Sequence, residues 1–309
     1  MKNIRLFILI FIITLTINPG LYAQKYAEDF VSRGTKAAKL GYTDNALEDF
    51  TKAIKLDSKL PEAYYNRGLV YFDLTEYQKA LDDFNKTVQL RPEQAEALLH
   101  RGLCWYHLDK SDIAIKDFSA ALKADSSLQD AAKNLGLVYL ETGNLAEAEK
   151  SFSILIRRNP EYTEAWYHRG LIRHQTKEYK GALRDFDQAV KLSPGNPEYL
   201  SSRGVLKAVQ GLFYAAIEDF DLALQSDTLY FEAYLNRGLA QFNLLRFEKS
   251  ENDYSKALII DPVSTDALIG RAHARMALKK ISSACADFRL ARDMGDPKAN
   301  AYLLKYCKE

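Results

Sequence analysis

The chain has 309 residues, with 42 Lys and Arg against 41 Asp and Glu, and a formal net charge of +1. That balance, a pI near 7.6 and the lack of a basic stripe argue against nucleic acid as a partner. Length alone allows two domains, but an internal period overrides that prior, because stacked repeats share one continuous core.

The first residues differ from the rest. Lys2 and Arg5 precede an apolar run from Leu6 to Ile17, Pro19-Gly20 is expected to break any helix, and Leu21-Tyr22-Ala23 ends in a small residue. This pattern predicts a secretory signal peptide over 1–23, cut after Ala23, and hence an exported protein, periplasmic or secreted. A retained membrane anchor is the alternative, but twelve apolar residues fall short of the roughly 20 that span a bilayer. Cleavage would leave no stable membrane span and, with Lys2 and Arg5 gone, would take the charge from +1 to −1. Gln24 rather than cysteine stands at the new N-terminus, which argues against a lipoprotein anchor.

From Ala27 onward one frame returns every 34 residues. With the glycine placed at position 8, the units are 27–60, 61–94, 95–128, 129–162, 163–196, 197–230, 231–264 and 265–298. Position 8 is Gly34, Gly68, Gly102, Gly136, Gly170, Gly204, Gly238 and Ala272. Position 20 is alanine except at Ser250, and position 24 is phenylalanine except at Tyr254. Helical spacing of Tyr64, Gly68 and Tyr71, and again of Tyr77, Ala80, Phe84, Thr87 and Val88, predicts two helices per unit. Gly41, Gly143 and Gly211 mark the turn within a unit. Pro92, Pro160, Pro194 and Pro262 mark the turn after it. Position 2 is acidic in every unit, from Glu28 to Asp266, where a carboxylate meets the free N–H groups of a first turn. Gly68 is expected to cross Ala80, with Phe84 beside them and Tyr64 opposite. Residues 299–309, with Tyr302, Leu303 and Tyr306, are expected to form a capping helix.

Tyr64, Gly68, Tyr71, Ala80, Phe84 and Pro92 together resemble the tetratricopeptide repeat (TPR) family, and the likeness covers 27–298 without a gap. The resemblance implies an all-α solenoid, a right-handed superhelix of eight helix-turn-helix units whose first helices line a concave groove. It also implies a non-catalytic protein that binds other proteins or peptides. The Ala-Cys-Ala-Asp-Phe stretch with its later Tyr-Cys is similar to secreted bacterial members of the family. The family's two-carboxylate clamp for chaperone tails needs lysine at position 5 and asparagine at position 9. Here only Lys133 meets the first, and Leu69, Leu103, Leu137, Leu171, Val205 and Leu239 occupy the second.

Position 7, aliphatic in most of the family, is Arg33, Arg67, Arg101, Arg169, Arg203, Arg237 and Arg271; position 23 is Asp49, Asp83, Asp117, Asp185, Asp219, Asp253 and Asp287. The fourth unit loses both, with Leu135 and Ser151. Joint loss predicts pairing within a unit, since pairing between neighbours would orphan a charge on either side. The structural reading is a helix-to-helix ion pair that sets register; the functional one is an arginine row that captures anions.

Position 6 is polar or small: Ser32, Asn66, His100, Asn134, His168, Ser202, Asn236 and Gly270. On helices that line a groove, such a row is a candidate to hold an extended peptide, since an amide both donates and accepts; the plain alternative is a solvated helix face. Position 11 changes from Tyr71, Trp105 and Tyr139 to Arg173, Lys207, Gln241 and Arg275. The like-charged i, i+4 pairs this creates call for a negative neighbour, either Asp185, Asp219 and Asp287 or an acidic partner segment.

Export permits a bridge between Cys285 and Cys307; the alternative is two small buried thiols. Cys104, among Leu103, Trp105 and Tyr106, reads as packing. His100 with His107, and His168 with His174, lack metalloprotease spacing, and no phosphate loop or nucleophile elbow occurs. The sequence therefore predicts no enzyme, metal or cofactor. It predicts an envelope or extracellular scaffold for a protein or peptide partner, with a self-assembling structural component as the alternative.

Overall fold

A computed structural model describes residues 19–307. Among them there are seventeen α-helices and no strand. The contacts divide the chain into two bodies, one ending at Arg158 and one beginning at Asn159.

The first body holds α1 (Pro19–Lys39), α2 (Thr43–Leu56), α3 (Pro61–Asp73), α4 (Tyr77–Leu90), α5 (Ala95–His107), α6 (Ser111–Ala124), α7 (Gln129–Glu141) and α8 (Leu145–Arg158). The second holds α9 (Thr163–Gln175), α10 (Tyr179–Leu192), α11 (Pro197–Val209), α12 (Phe213–Ser226), α13 (Phe231–Asn243), α14 (Phe247–Ile260), α15 (Thr265–Ala277), α16 (Ile281–Asp293) and α17 (Ala299–Tyr306). Three-residue turns inside each unit force its two helices to run antiparallel. A single pair buries one stripe only, so within each body every second helix also packs on the first helix of the next unit.

The predicted signal peptide lies largely outside the described residues. Among the described residues, α1 runs from Pro19 past Ala23, so Ala23 lies within a helix.

Position 24 forms the core. Its seven phenylalanines are at most 1% exposed, and the alanines of position 20 are fully buried. The glycine of position 8 serves this ring rather than the alanine. A Cβ on Gly68 would stand 2.9 Å from Phe84, and one on Gly102 or Gly170 would stand 2.7 Å from Phe118 or Phe186. The ring lies flat on a helix with no side chain at that point. Each such ring contributes about 2–3 kcal/mol relative to leaving it in water. Tyr65, not Tyr64, meets Phe84, with ring centroids 5.8 Å apart; the Tyr64 hydroxyl instead reaches the carbonyl of Ser58.

Turns within units share one conformation. Position 15 has positive φ in all eight: 77–79° at Gly41, Gly143 and Gly211, and 58–64° at Thr75, Asp109, Lys177, Leu245 and Lys279. Glycine reveals the position in only three units. At the far end of the second body, α17 lays Tyr302, Leu303 and Tyr306 over Ala272, Ala284 and Phe288. A disulfide joins Cys285 on α16 to Cys307 just after α17, with Cα atoms 5.8 Å apart.

Candidate functional site

The seven position-7 arginines each grip the position-23 aspartate of their own unit. From Arg67 to Arg271, Nε donates to Oδ2 at 2.8–3.0 Å and Nη2 to Oδ1 at 2.6–2.8 Å. Arg33 holds Asp49 in the same way. The aspartates are only 1–5% exposed, so these are charge-assisted pairs in a low dielectric. In the fourth unit, Leu135 is buried and the Ser151 hydroxyl bonds the Glu147 carbonyl of its own helix at 2.8 Å.

A third contact went unread in the sequence. Nη1 of the same arginine reaches back to position 25 of the preceding unit: Arg67 to Thr51, Arg101 to Asn85, Arg203 to Asp187, Arg237 to Asp221 and Arg271 to Ser255. The arginine thus ties two units together as well as two helices. Polarity at position 25 was the available signal, but Thr, Asn, Asp and Ser share no single chemistry that would single it out.

The cations of position 11 are also engaged internally. Arg173 Nη1 lies 2.8 Å from Asp185, Lys207 Nζ 2.7 Å from Asp219, and Arg275 Nη1 2.7 Å from Asp287. Arg275 also reaches Glu251 at 2.9 Å, which Lys280 joins; this pair of cations outweighs burial and holds the Glu251 carboxyl below its usual range. Each buried aspartate in these units therefore meets two cations. The like-charged i, i+4 pairs are answered by internal carboxylates, which removes the reason to expect an acidic segment there.

The position-6 row is half-buried on the first helices from Asn66 to Gly270, and exposed at Ser32. The amide groups of Asn134 and Asn236 donate to the carbonyls of Asp130 and Glu232 one turn back, each at 2.8 Å, and Asn66 donates to Thr35 at 3.4 Å. No described residue donates to the Oδ1 of any of the three. Ser202 contacts the hydroxyl of Tyr167 at 3.3 Å, and His168 packs beside that ring. His100 bonds the Glu96 carbonyl at 2.7 Å and is wrapped by Tyr65, Phe72 and Phe84; burial pushes its pKa down. His107 stacks on Tyr77. His100, His107, His174 and His273 each pack against aromatic rings. Cys104 is fully buried, and that burial pushes its thiol up to about 12, which keeps it unreactive.

Among the described residues no group of three or more His, Cys, Asp or Glu could hold a metal ion, and no helix is long and apolar enough to cross a membrane.

Models of the tetratricopeptide repeat match residues 61–94, 133–197 and 231–264, and a TPR repeat model matches 37–75. No curated protein matches the chain. Among solved structures, a tetratricopeptide repeat protein from Parabacteroides merdae is similar at 20% identity and TM-score 0.59, covering 80% of this chain and 98% of its own. The C-terminal part of a TPR repeat-containing protein from Cytophaga hutchinsonii gives 18% identity and TM-score 0.65 over the same shares, 80% and 98%. YrrB, described as a TPR protein with an unusual peptide-binding site, is 24% identical with TM-score 0.54, over 62% of this chain and 97% of its own. At these identities the likeness is one of fold.

Proposed function

The chain belongs to the tetratricopeptide repeat family, whose fold generally serves as a protein–protein interaction scaffold, and from that premise we propose that it holds extended segments of a partner protein along the first helices of the units within each body. The observation that carries this reading is the position-6 row. Asn66, Asn134 and Asn236 present amide oxygens that no described residue uses. A peptide backbone supplies N–H donors at regular intervals, and each would satisfy one such oxygen. The peptide-binding site described for YrrB supports peptide as the ligand class. The reading is non-catalytic, and it places the work outside the cytoplasm. The predicted signal peptide and the Cys285–Cys307 bridge, a bond that persists in oxidising compartments, support that location.

The test replaces Asn66, Asn134 and Asn236 together by alanine. Partner recovery from the native envelope, read by mass spectrometry, is expected to fall while the helical circular dichroism stays unchanged. Recovery equal to the parent chain would count against the row.

A second reading, assembly of copies, rests on one feature of the first body. The Arg33 side chain is 61% exposed, against 13–21% for its six counterparts. Tyr22 and Tyr26 on α1 are 46% and 56% exposed. Light scattering that shows a monomer at all concentrations would exclude assembly through this end.

A further inference from the structure

Four departures from the repeat frame fall in the last two units. In the seventh unit Ser250 replaces alanine and Tyr254 replaces phenylalanine; in the eighth, Gly270 replaces a polar residue and Ala272 replaces glycine. Ser250 is explained locally, since its hydroxyl bonds the Gly238 carbonyl at 2.8 Å. Tyr254 is not. A Cβ on Gly238 would lie 3.2 Å from its ring, whereas one on Gly270 would lie 2.4 Å from it. The ring therefore sits off its own glycine and under the first helix of the next unit, where only glycine leaves room.

Beside this ring is an open cavity of about 480 Å³. Leu239, Phe242 and Ile269 give it apolar walls, and Tyr302 of the capping helix closes one side. Leu239 is 51% exposed at its edge, and Tyr254, which lines it, is only 4% exposed. No hydrogen bond from a described residue reaches the Tyr254 hydroxyl. It is not among the buried polar atoms left without a partner, so it opens on the cavity, where a ligand can reach it. Burial, together with the carboxylates of Asp253 and Asp266, keeps that hydroxyl protonated, so it remains a donor. Asp266 lines the same cavity without an ion-pair partner among the described residues. His273, also in the wall, is held neutral by burial and by Lys305. The lining thus combines apolar walls, one unpaired donor and one negative charge. A mostly apolar concavity with a few convergent polar groups is the general form of a ligand pocket.

We propose that this cavity seats one bulky apolar side chain of a bound peptide segment, with a peptide carbonyl accepting from Tyr254 and a neighbouring Lys or Arg of that segment facing Asp266. This rests on the peptide-binding reading above and adds to it a position and a sequence preference.

A random dodecapeptide display library selected on the immobilised full chain tests it. Enriched peptides are expected to share a Phe- or Leu-like residue close to a Lys or Arg. Tyr254→Phe restores the residue used by the other seven units, so the fold is expected to hold. It is expected to weaken a resynthesised peptide on the order of fivefold to tenfold, the loss of one hydrogen bond, at unchanged Tm. Leu239→Glu, at a half-exposed site, is expected to weaken it by at least about tenfold. Asp266→Asn is expected to erase the preference for the basic residue. Peptides that bind all three variants as well as the parent chain, yet lose affinity when Asn66 and Asn134, both away from the cavity, are changed to alanine, would overturn the cavity and leave the groove reading standing. Selection of no peptide at all would overturn both.

Discussion

Leu245 stands in the left-handed region at φ 60° with 72% of its surface exposed. An L-residue held there costs about 1–2 kcal/mol, and a side chain this exposed offsets little of that by burial. Glycine at the matching position in the sixth unit, Gly211, adopts φ 77° without that cost. Leu245→Gly is therefore expected to stabilise the protein by about 0.5–1 kcal/mol, the gain being trimmed by glycine's freer unfolded chain. A urea midpoint that stays put or falls would contradict this. His100 gives a second expectation. Its pKa is lowered by burial, with the Glu96 carbonyl acting in the opposite sense. The unfolded chain binds a proton at about pH 6.5 and the folded chain only below that. As pH drops through the unfolded value the unfolded state gains protons first, so stability falls until the folded pKa is reached. His174 and His273 shift in the same direction. Stability measured at about pH 5.5 should lie below that at about pH 7.5, and His100→Asn, the residue of the neighbouring units, should narrow the gap.

At the scale of the helix pair, the fourth unit is a natural double replacement that shows how to test the others. Asp83→Ser alone leaves the Arg67 guanidinium 19% exposed with only Thr51 as partner. Breaking a buried pair from one side costs about 3–5 kcal/mol. Arg67→Leu with Asp83→Ser reproduces Leu135 and Ser151, leaves no orphan charge, and is expected to cost about 1 kcal/mol or less. Equal losses for the single and double variants, read by urea denaturation, would mean that the pair stabilises rather than sets register. The intra-unit pairing was legible because both partners vanish together in one unit. The glycine contact was only half legible. Spacing names positions 8, 20 and 24, but which two touch depends on how the helices are rotated, and that rotation brings Gly68 onto Phe84 rather than Ala80. The candidate cavity was less legible still. Tyr254 and Gly270 read in sequence as two unrelated lapses, sixteen residues apart in different units, and only packing shows that one makes room for the other.

Over the whole molecule, the ends differ in a way that the repeats themselves do not. Each unit leans on its neighbours, so stability propagates along a stack and frays from its ends. In the second body the last unit is covered by α17, and the Cys285–Cys307 bridge closes a loop with a sequence separation of 22. Constraining a loop of that size contributes about 3 kcal/mol, mostly by restricting the unfolded chain. Tyr302 and Tyr306 pack on His273 and Phe288, so losing the cap would uncover the fully buried Phe288. Nearest-neighbour coupling confines that loss. Reduction, or Cys307→Ser, is expected to speed amide hydrogen exchange in α15, α16 and α17 while leaving α1 to α8 at parent rates. It should also blunt any binding that needs Tyr302 as a wall. Uniform acceleration along the chain would show that the bridge supports global rather than terminal stability. Unchanged exchange at the C-terminal end would show that the aromatic packing holds the cap by itself.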